Sequence, residues 1–283
     1  MSTSTILSSR WARVGDVPAT ALADGRLQLH HAAQIAVSAA ISYLAARPDD
    51  SHTALTWSAA IAALVTEPIT GARQLRIGVH VADLTLLALD ERGETIRSFA
   101  LNGRTIADAE AWLRATLAEA GFDETRFTSR KHYTIAAHPV ASGAAFSMRN
   151  RELEELARYW ANAAAVLDEL ARTTRGASAV RTWPHHFDIA TLIELPGAPR
   201  RTVGVGQSPG DDSYAEPYWY VGPYPYPPVD ALPPLAGLGH WHTTGWVGAA
   251  LPASAYVDAE DQRAEVATFI DSAVGACRSL LGA

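Results

Sequence analysis

Residues 53–65 read TALTWSAAIAALV, and residues 179–195 read AVRTWPHHFDIATLIEL. Each is a short apolar run rich in residues that suit strands, so each reads as one β-strand. The two also match in part. ALTW at 54–57 falls on VRTW at 180–183, an offset of 126 residues, and at that offset Leu44-Ala45 falls on Leu170-Ala171.

The flanks repeat as well. Before the first run, Leu27, His31, Gln34, Ile35, Ile41 and Leu44 recur at helical spacing over 26–46, and Arg47-Pro48 ends that helix. After it, Leu75 to Val81 alternate as in a half-buried strand, and strands near 84–90 and 94–100 flank a turn at Glu91-Arg92-Gly93. Thr105 with Asp108 resembles a capping box opening a helix that carries Ile106, Trp112, Leu113 and Leu117. Around the second run, a helix carries Leu153, Leu156, Trp160, Ala163, Leu167 and Leu170. Strands follow at 201–206 and near 241–250, and a last helix carries Val266, Phe269, Ile270, Val274, Cys277 and Leu281. The expected fold is therefore α+β: two similar helix–antiparallel sheet–helix lobes, an internal pseudo-duplication. The lobes run 26–148 and 149–283, after a tail over 1–25. The first reads as a scaffold, because Ser58 to Ala62 stand where the second lobe has Pro184 to Asp188.

Composition bounds the function. The chain has 283 residues, 48% apolar and 19% charged, which suits a folded protein with a sizeable core. A net charge of −7 argues against a nucleic-acid partner. No run of eighteen apolar residues is present and residues 1–10 lack a signal-peptide pattern, so neither a membrane partner nor export is expected. One cysteine, Cys277, fits a reducing cytoplasm. Lys131, the only lysine, lies in the polar stretch SRKHY, where no apolar surround is expected to lower its pKa, so a lysine-linked cofactor is not expected. No nicotinamide, flavin or pyridoxal phosphate motif is present. Gly204 and Gly206 open no helix, as a dinucleotide loop would require. Gly206-Gln207-Ser208-Pro209-Gly210 fits GxSxG literally, but Pro209 has no N–H for an oxyanion hole, so this reads as a turn.

The chemistry concentrates in the second lobe. On a strand, residues two apart share a face, which pairs His186 with Asp188 and His240 with His242. Imidazole and carboxylate suit zinc, iron or copper, so one divalent metal on His186, Asp188, His240 and His242, with Glu216 nearby, is one expectation. The other is metal-free acid–base catalysis by His186, Asp188 and His242. Tyr214, Tyr218, Trp219, Tyr220, Tyr224 and Tyr226 lie in a stretch where proline stiffens the backbone. Tyr218, Trp219 and Tyr220, with Trp241, are the candidate substrate wall, while a structural flap and a polyproline partner motif stay open. His30 and Gln34 lie one helical turn apart, facing the lobe interface, and His132 and His138 flank a possible strand.

At WPHHFDIA, GVGQSPGDDSYAEPYWYVGPYPYP and GHWHTTGWVGA the chain resembles a bacterial, mainly actinobacterial, domain family of unknown function. Leu29-His30 with Gln34-Ile35, Thr66 to Ile69, Phe187 to Ala190, Pro209-Gly210 and Glu216-Pro217 carry the resemblance across nearly the whole chain. It implies no activity. His185-His186 depart from the family's pattern, which implies that a metal site here would not be common to the family. The leading functional expectation is an enzyme acting on a small planar or cyclic molecule through a His/Asp centre. With a metal it would be a hydrolase or lyase, without one an isomerase or cyclase. The alternative is a non-catalytic binding or regulatory protein with an aromatic-proline pocket. Its oligomeric state and substrate have no signature in the sequence.

Overall fold

The computed structural model describes residues 11–283. The first half runs through helix α1 (Ala23–Tyr43), strands β1 (Thr56–Ser58), β2 (Ala63–Val65), β3 (Ile69–Thr70), β4 (Gln74–His80), β5 (Thr85–Leu89) and β6 (Thr95–Ala100), then helix α2 (Ile106–Glu119). The second runs through α3 (Asn150–Thr173), β7 (Arg181–Trp183), β8 (Asp188–Leu195), β9 (Arg201–Ser208), β10 (Tyr218–Tyr224), β11 (His240–His242), β12 (Gly248–Pro252), the short α4 (Ala253–Tyr256) and α5 (Gln262–Leu280). The fold is α+β with two antiparallel sheets. Their strand orders are β1-β2-β4-β5-β6, with β3 beside β4, and β7-β8-β9-β10-β12-β11.

Both apolar runs that open these sheets are hairpins, not single strands. In the first, β1 and β2 pair around a turn at 59–62, with Ala62 at φ 45°. In the second, β7 and β8 pair around Pro184 to Phe187, with Phe187 at φ 61°. Pro184 has no N–H to give a ladder, and the Phe187 N–H instead closes the turn on the Trp183 carbonyl at 2.7 Å. The two hairpins meet: Leu55 and Thr182 exchange both backbone hydrogen bonds, at 2.9 and 2.7 Å, so the edges of the sheets join.

Helix α1 is alanine-rich and buried along nearly its whole length. A helix with apolar residues on every side belongs in the interior, and α1 packs against β4, α2 and α3 while its buried polar residues, such as Gln28, His30 and Gln34, are hydrogen-bonded. One cluster of buried apolar side chains runs through both halves, from Leu29 and Leu64 to Trp160, Trp219 and Phe269. Helix α2 begins as expected: the Thr105 hydroxyl accepts from the Asp108 N–H, and the Asp108 carboxylate accepts from the Thr105 N–H. The expected tail is not loose over its described part. Val14 and Val17 are buried, and Gln262 of α5 bonds both the N–H and the carbonyl of Val14. Residues 1–10 lie outside the described residues. Among those described, no helix is long and apolar enough to cross a membrane.

Helices α3 and α5 cover one face of the second sheet. The other face carries the site.

Candidate functional site

Alternation along three strands brings one set of side chains to the open face. Asp188 and Leu192 come from β8, Thr202, Gly204 and Ser208 from β9, and Tyr218, Tyr220, Gly222 and Tyr224 from β10. These line a cavity of about 700 Å³. Tyr226, Trp246 and the β7–β8 turn continue its wall. The first half completes it through Arg26, Leu27 and His30 of α1 and through residues 134–136. The cavity is therefore not a property of the second half alone.

The β7–β8 turn is held by α1. The Pro184 carbonyl accepts from His30 Nε2 at 2.8 Å and from Gln34 Nε2 at 2.7 Å. The His30 ring stacks on Phe187, with centroids 4.4 Å apart and planes 6° apart. Burial pushes the His30 imidazole down to about 4. Its nitrogen therefore serves as a neutral donor near pH 7, and the pairing of His30 with Gln34 fixes where Asp188 enters its strand.

Asp188 is 8% exposed. The Tyr220 hydroxyl donates to its Oδ2, reaching across β9 above Gly206. Its Oδ1 has no hydrogen-bond partner among the described residues. Burial raises the carboxyl above the ordinary aspartate range, although the Tyr220 hydrogen bond and the nearby His186 pull the other way. Tyr220 is pushed well above the usual phenol range, by burial first and then by the Asp188 charge, and remains a donor. Beside this pair, the Tyr218 hydroxyl donates to Asp211 Oδ2 at 2.6 Å.

The structure separates the other expected site residues. His186 lies in the turn, exposed at the cavity wall, so it does not share a strand face with Asp188. His240 and His242 do share a face, but both meet the Tyr214 hydroxyl, at 2.9 and 3.0 Å. His242 Nε2 donates to the Thr244 carbonyl at 2.6 Å, which leaves Nδ1 to accept from Tyr214 and His240 to donate to it. Both nitrogens of His242 are thus engaged in a structural chain, stacked under Trp246, rather than free for catalysis. Glu216 accepts from the Ser254 N–H and hydroxyl at the start of α4, at 2.6 and 2.8 Å. Trp219 alternates to the helix side and is fully buried, while the Trp241 indole donates to the Pro233 carbonyl at 2.6 Å, so neither lines the cavity. The expected four-ligand metal set is not assembled. Among the described residues no group of three or more His, Cys, Asp or Glu side chains is placed to hold a metal ion.

Three further expectations are corrected. The Lys131 ammonium is desolvated after all: it donates to Ser38 Oγ of α1 at 3.2 Å, and burial lowers its pKa. The segment between His132 and His138 forms no strand. His132 pairs with Asp50 and His138 with Asp24 instead. The aromatic-proline stretch is neither a flap nor wholly a loop, since β10 occupies the middle of the sheet. Ser208-Pro209-Gly210 is the expected turn, closed by the Gly210 N–H on Ser208 Oγ at 3.1 Å.

Arg26, the Tyr220–Asp188 contact and the bare glycine positions were not anticipated. Gly204 and Gly206, two apart on an apolar strand, did carry a signal, because strand glycines mark places where another group comes close to the backbone. Comparison with protein-family models, with curated proteins and with solved structures finds no match to this chain.

Proposed function

We propose that the cavity is the active site of an enzyme that moves a proton on a small, flat or cyclic molecule, with Asp188 as the acid–base group. One observation carries this reading: Asp188 is a buried carboxyl at the cavity wall, with one oxygen held by Tyr220 and the other without a partner among the described residues. A carboxyl whose pKa is raised by burial keeps its proton to higher pH and can deliver it to a bound molecule. The carboxylate left behind keeps the Tyr220 hydroxyl as its donor. His186, at the exposed part of the wall, passes the replacement proton from solvent. Isomerisation, cyclisation and elimination are the reaction classes that use such a group in both protonation states. A metal centre is not part of this proposal, because His240 and His242 are tied to Tyr214, Asp188 is tied to Tyr220, and His186 lies in the exposed turn.

The repeated order of elements supports a second part of the proposal, that the chain arose by internal duplication. In this account the first lobe became the support for the second and kept α1 as part of the cavity wall.

Incubating the protein with a bacterial metabolite extract and following compounds by chromatography with mass detection tests the enzyme reading. A compound converted by wild type is expected to persist with Asp188→Asn, and Tyr220→Phe is expected to slow conversion by about tenfold or more. Equal conversion by Asp188→Asn contradicts the assignment. The rim of Tyr224, Tyr226 and Trp246 also suits ligand binding without turnover. A compound that is retained by the protein and recovered unchanged would identify that case.

A further inference from the structure

Glycines form a row across the cavity floor. Gly204 on β9 is the register partner of Gly222 on β10, and Gly248 on β12 follows one step beyond the Val221–Ala249 pair. The indole of Trp246 covers Gly248, coming within 2.6 Å of where a Cβ would stand. The other two are bare. Among the described residues, nothing lies within 4 Å of a Cβ position at Gly222, and at Gly204 the nearest atom is 3.8 Å away. A strip of exposed backbone about one strand spacing wide, roughly 5 Å, therefore continues from Trp246. Tyr220 and Tyr224 flank it along β10 and Leu192 ends it on β8.

Arg26 stands toward the other end of the cavity. A Cβ on Gly210, just past the end of β9, would lie 2.9 Å from its Nη1. Among the described lining residues, Arg26 is the only arginine or lysine. Its Nε is buried without a partner among the described residues, and Asp211 and Asp212 influence its charge from the same end of the cavity. A guanidinium half-withdrawn from water, with its Nε unpartnered among the described residues, is suited to receive an oxygen from a ligand. The four residue steps from Gly204 to Ser208 span about 13 Å of strand, with Tyr220 and Asp188 between the floor and Arg26.

We infer that the cavity takes an elongated organic carboxylate with a flat ring, the ring lying on the backbone of Gly204 and Gly222 and the carboxylate on Arg26. This inference rests on the reading of the cavity as an enzyme site, and it names the substrate class. A flat ring fits face-on against bare peptide planes between two tyrosine rings, whereas a puckered ring makes less contact with the same strip. The arrangement holds the middle of the molecule against the Asp188–Tyr220 pair.

Calorimetric titration with 8-phenyloctanoate and 8-(2-naphthyl)octanoate, whose extended chains match the span of the strip, tests it, with 8-cyclohexyloctanoate as the puckered control and 8-phenyloctan-1-ol as the uncharged one. The flat acids are expected to bind, and the controls to bind about tenfold more weakly or not at all. Arg26→Gln and Gly222→Val are each expected to weaken the flat acids by about tenfold or more. Space above Gly222 admits the valine, and an unchanged melting temperature verifies that it folds. Failure of both flat acids to bind overturns the inference, as does equal binding by both variants or by the controls. The enzyme reading fails separately. If flat acids bind but their conversion is indifferent to Asp188→Asn, the ligand class stands and the catalytic role falls. If Asp188-dependent conversion acts only on uncharged or puckered compounds, the reverse holds.

Discussion

Asp188 bears a desolvation cost that the fold itself does not require. Its folded pKa lies above that of the unfolded chain, so the unfavourable contribution is present above the folded value and vanishes below the unfolded one. Asp188→Asn is therefore expected to melt at the same temperature as wild type or higher at pH 7, with the difference shrinking on acidification. A lower melting temperature would make Asp188 a structural residue. His30 behaves oppositely. Its folded value of about 4 lies below its unfolded value of about 6.5, so the unfolded chain takes up the proton first as pH falls. Stability from neutral His30 is complete above pH 6.5 and lost toward pH 4, amounting to about 2 kcal/mol by pH 5. Urea midpoints at pH 7.5 and 5 should differ less in His30→Gln than in wild type, and equal differences would contradict this. The sequence made His30, Gln34 and Asp188 visible through spacing and burial arguments. It hid Tyr220 as the partner of Asp188, because that contact joins strands separated by β9 and depends on register.

At the scale of elements, glycine placement decides what the second sheet can hold. A Cβ at Gly206 would stand 2.5 Å from the Tyr220 hydroxyl oxygen and 2.8 Å from the Ala190 Cβ. Gly206→Ala should push Tyr220 off Asp188 and cost about 1–3 kcal/mol, while Gly222→Ala should stay within about 0.5 kcal/mol of wild type. Denaturant midpoints check both, and an equal cost would remove the argument that Gly206 makes room for the ring. Helices and most of the longer strands were legible because their periodicities run far enough to count, but β10 was not, since its aromatics and proline follow one another without alternation. The two hairpins were not. The apolar run Ala59-Ala60-Ile61-Ala62 carries none of the usual turn residues, and its positive φ at Ala62 is set by the fold around it. At Pro184 the signal was present, since a proline cannot serve the middle of a strand.

Across the whole molecule, α1 and one shared core join the two halves, so they are expected to unfold together. Tryptophan fluorescence, which samples Trp57 and Trp112 in one half and Trp160 and Trp219 in the other, should report one transition coincident with far-ultraviolet circular dichroism. Two separated transitions would show halves that fold independently. The α+β class could be read from the chain. That both halves wall one cavity could not, because an alanine-rich helix with little sidedness does not reveal what it packs against. The account turns on the carboxyl at the cavity wall. Carbon-13 NMR titration of the Asp188 carboxyl, in wild type and in Tyr220→Phe, tests it most directly. The predicted result is a titration above the ordinary aspartate range in wild type, moved higher still when the Tyr220 hydrogen bond is removed. Titration near 4 in both proteins would contradict it.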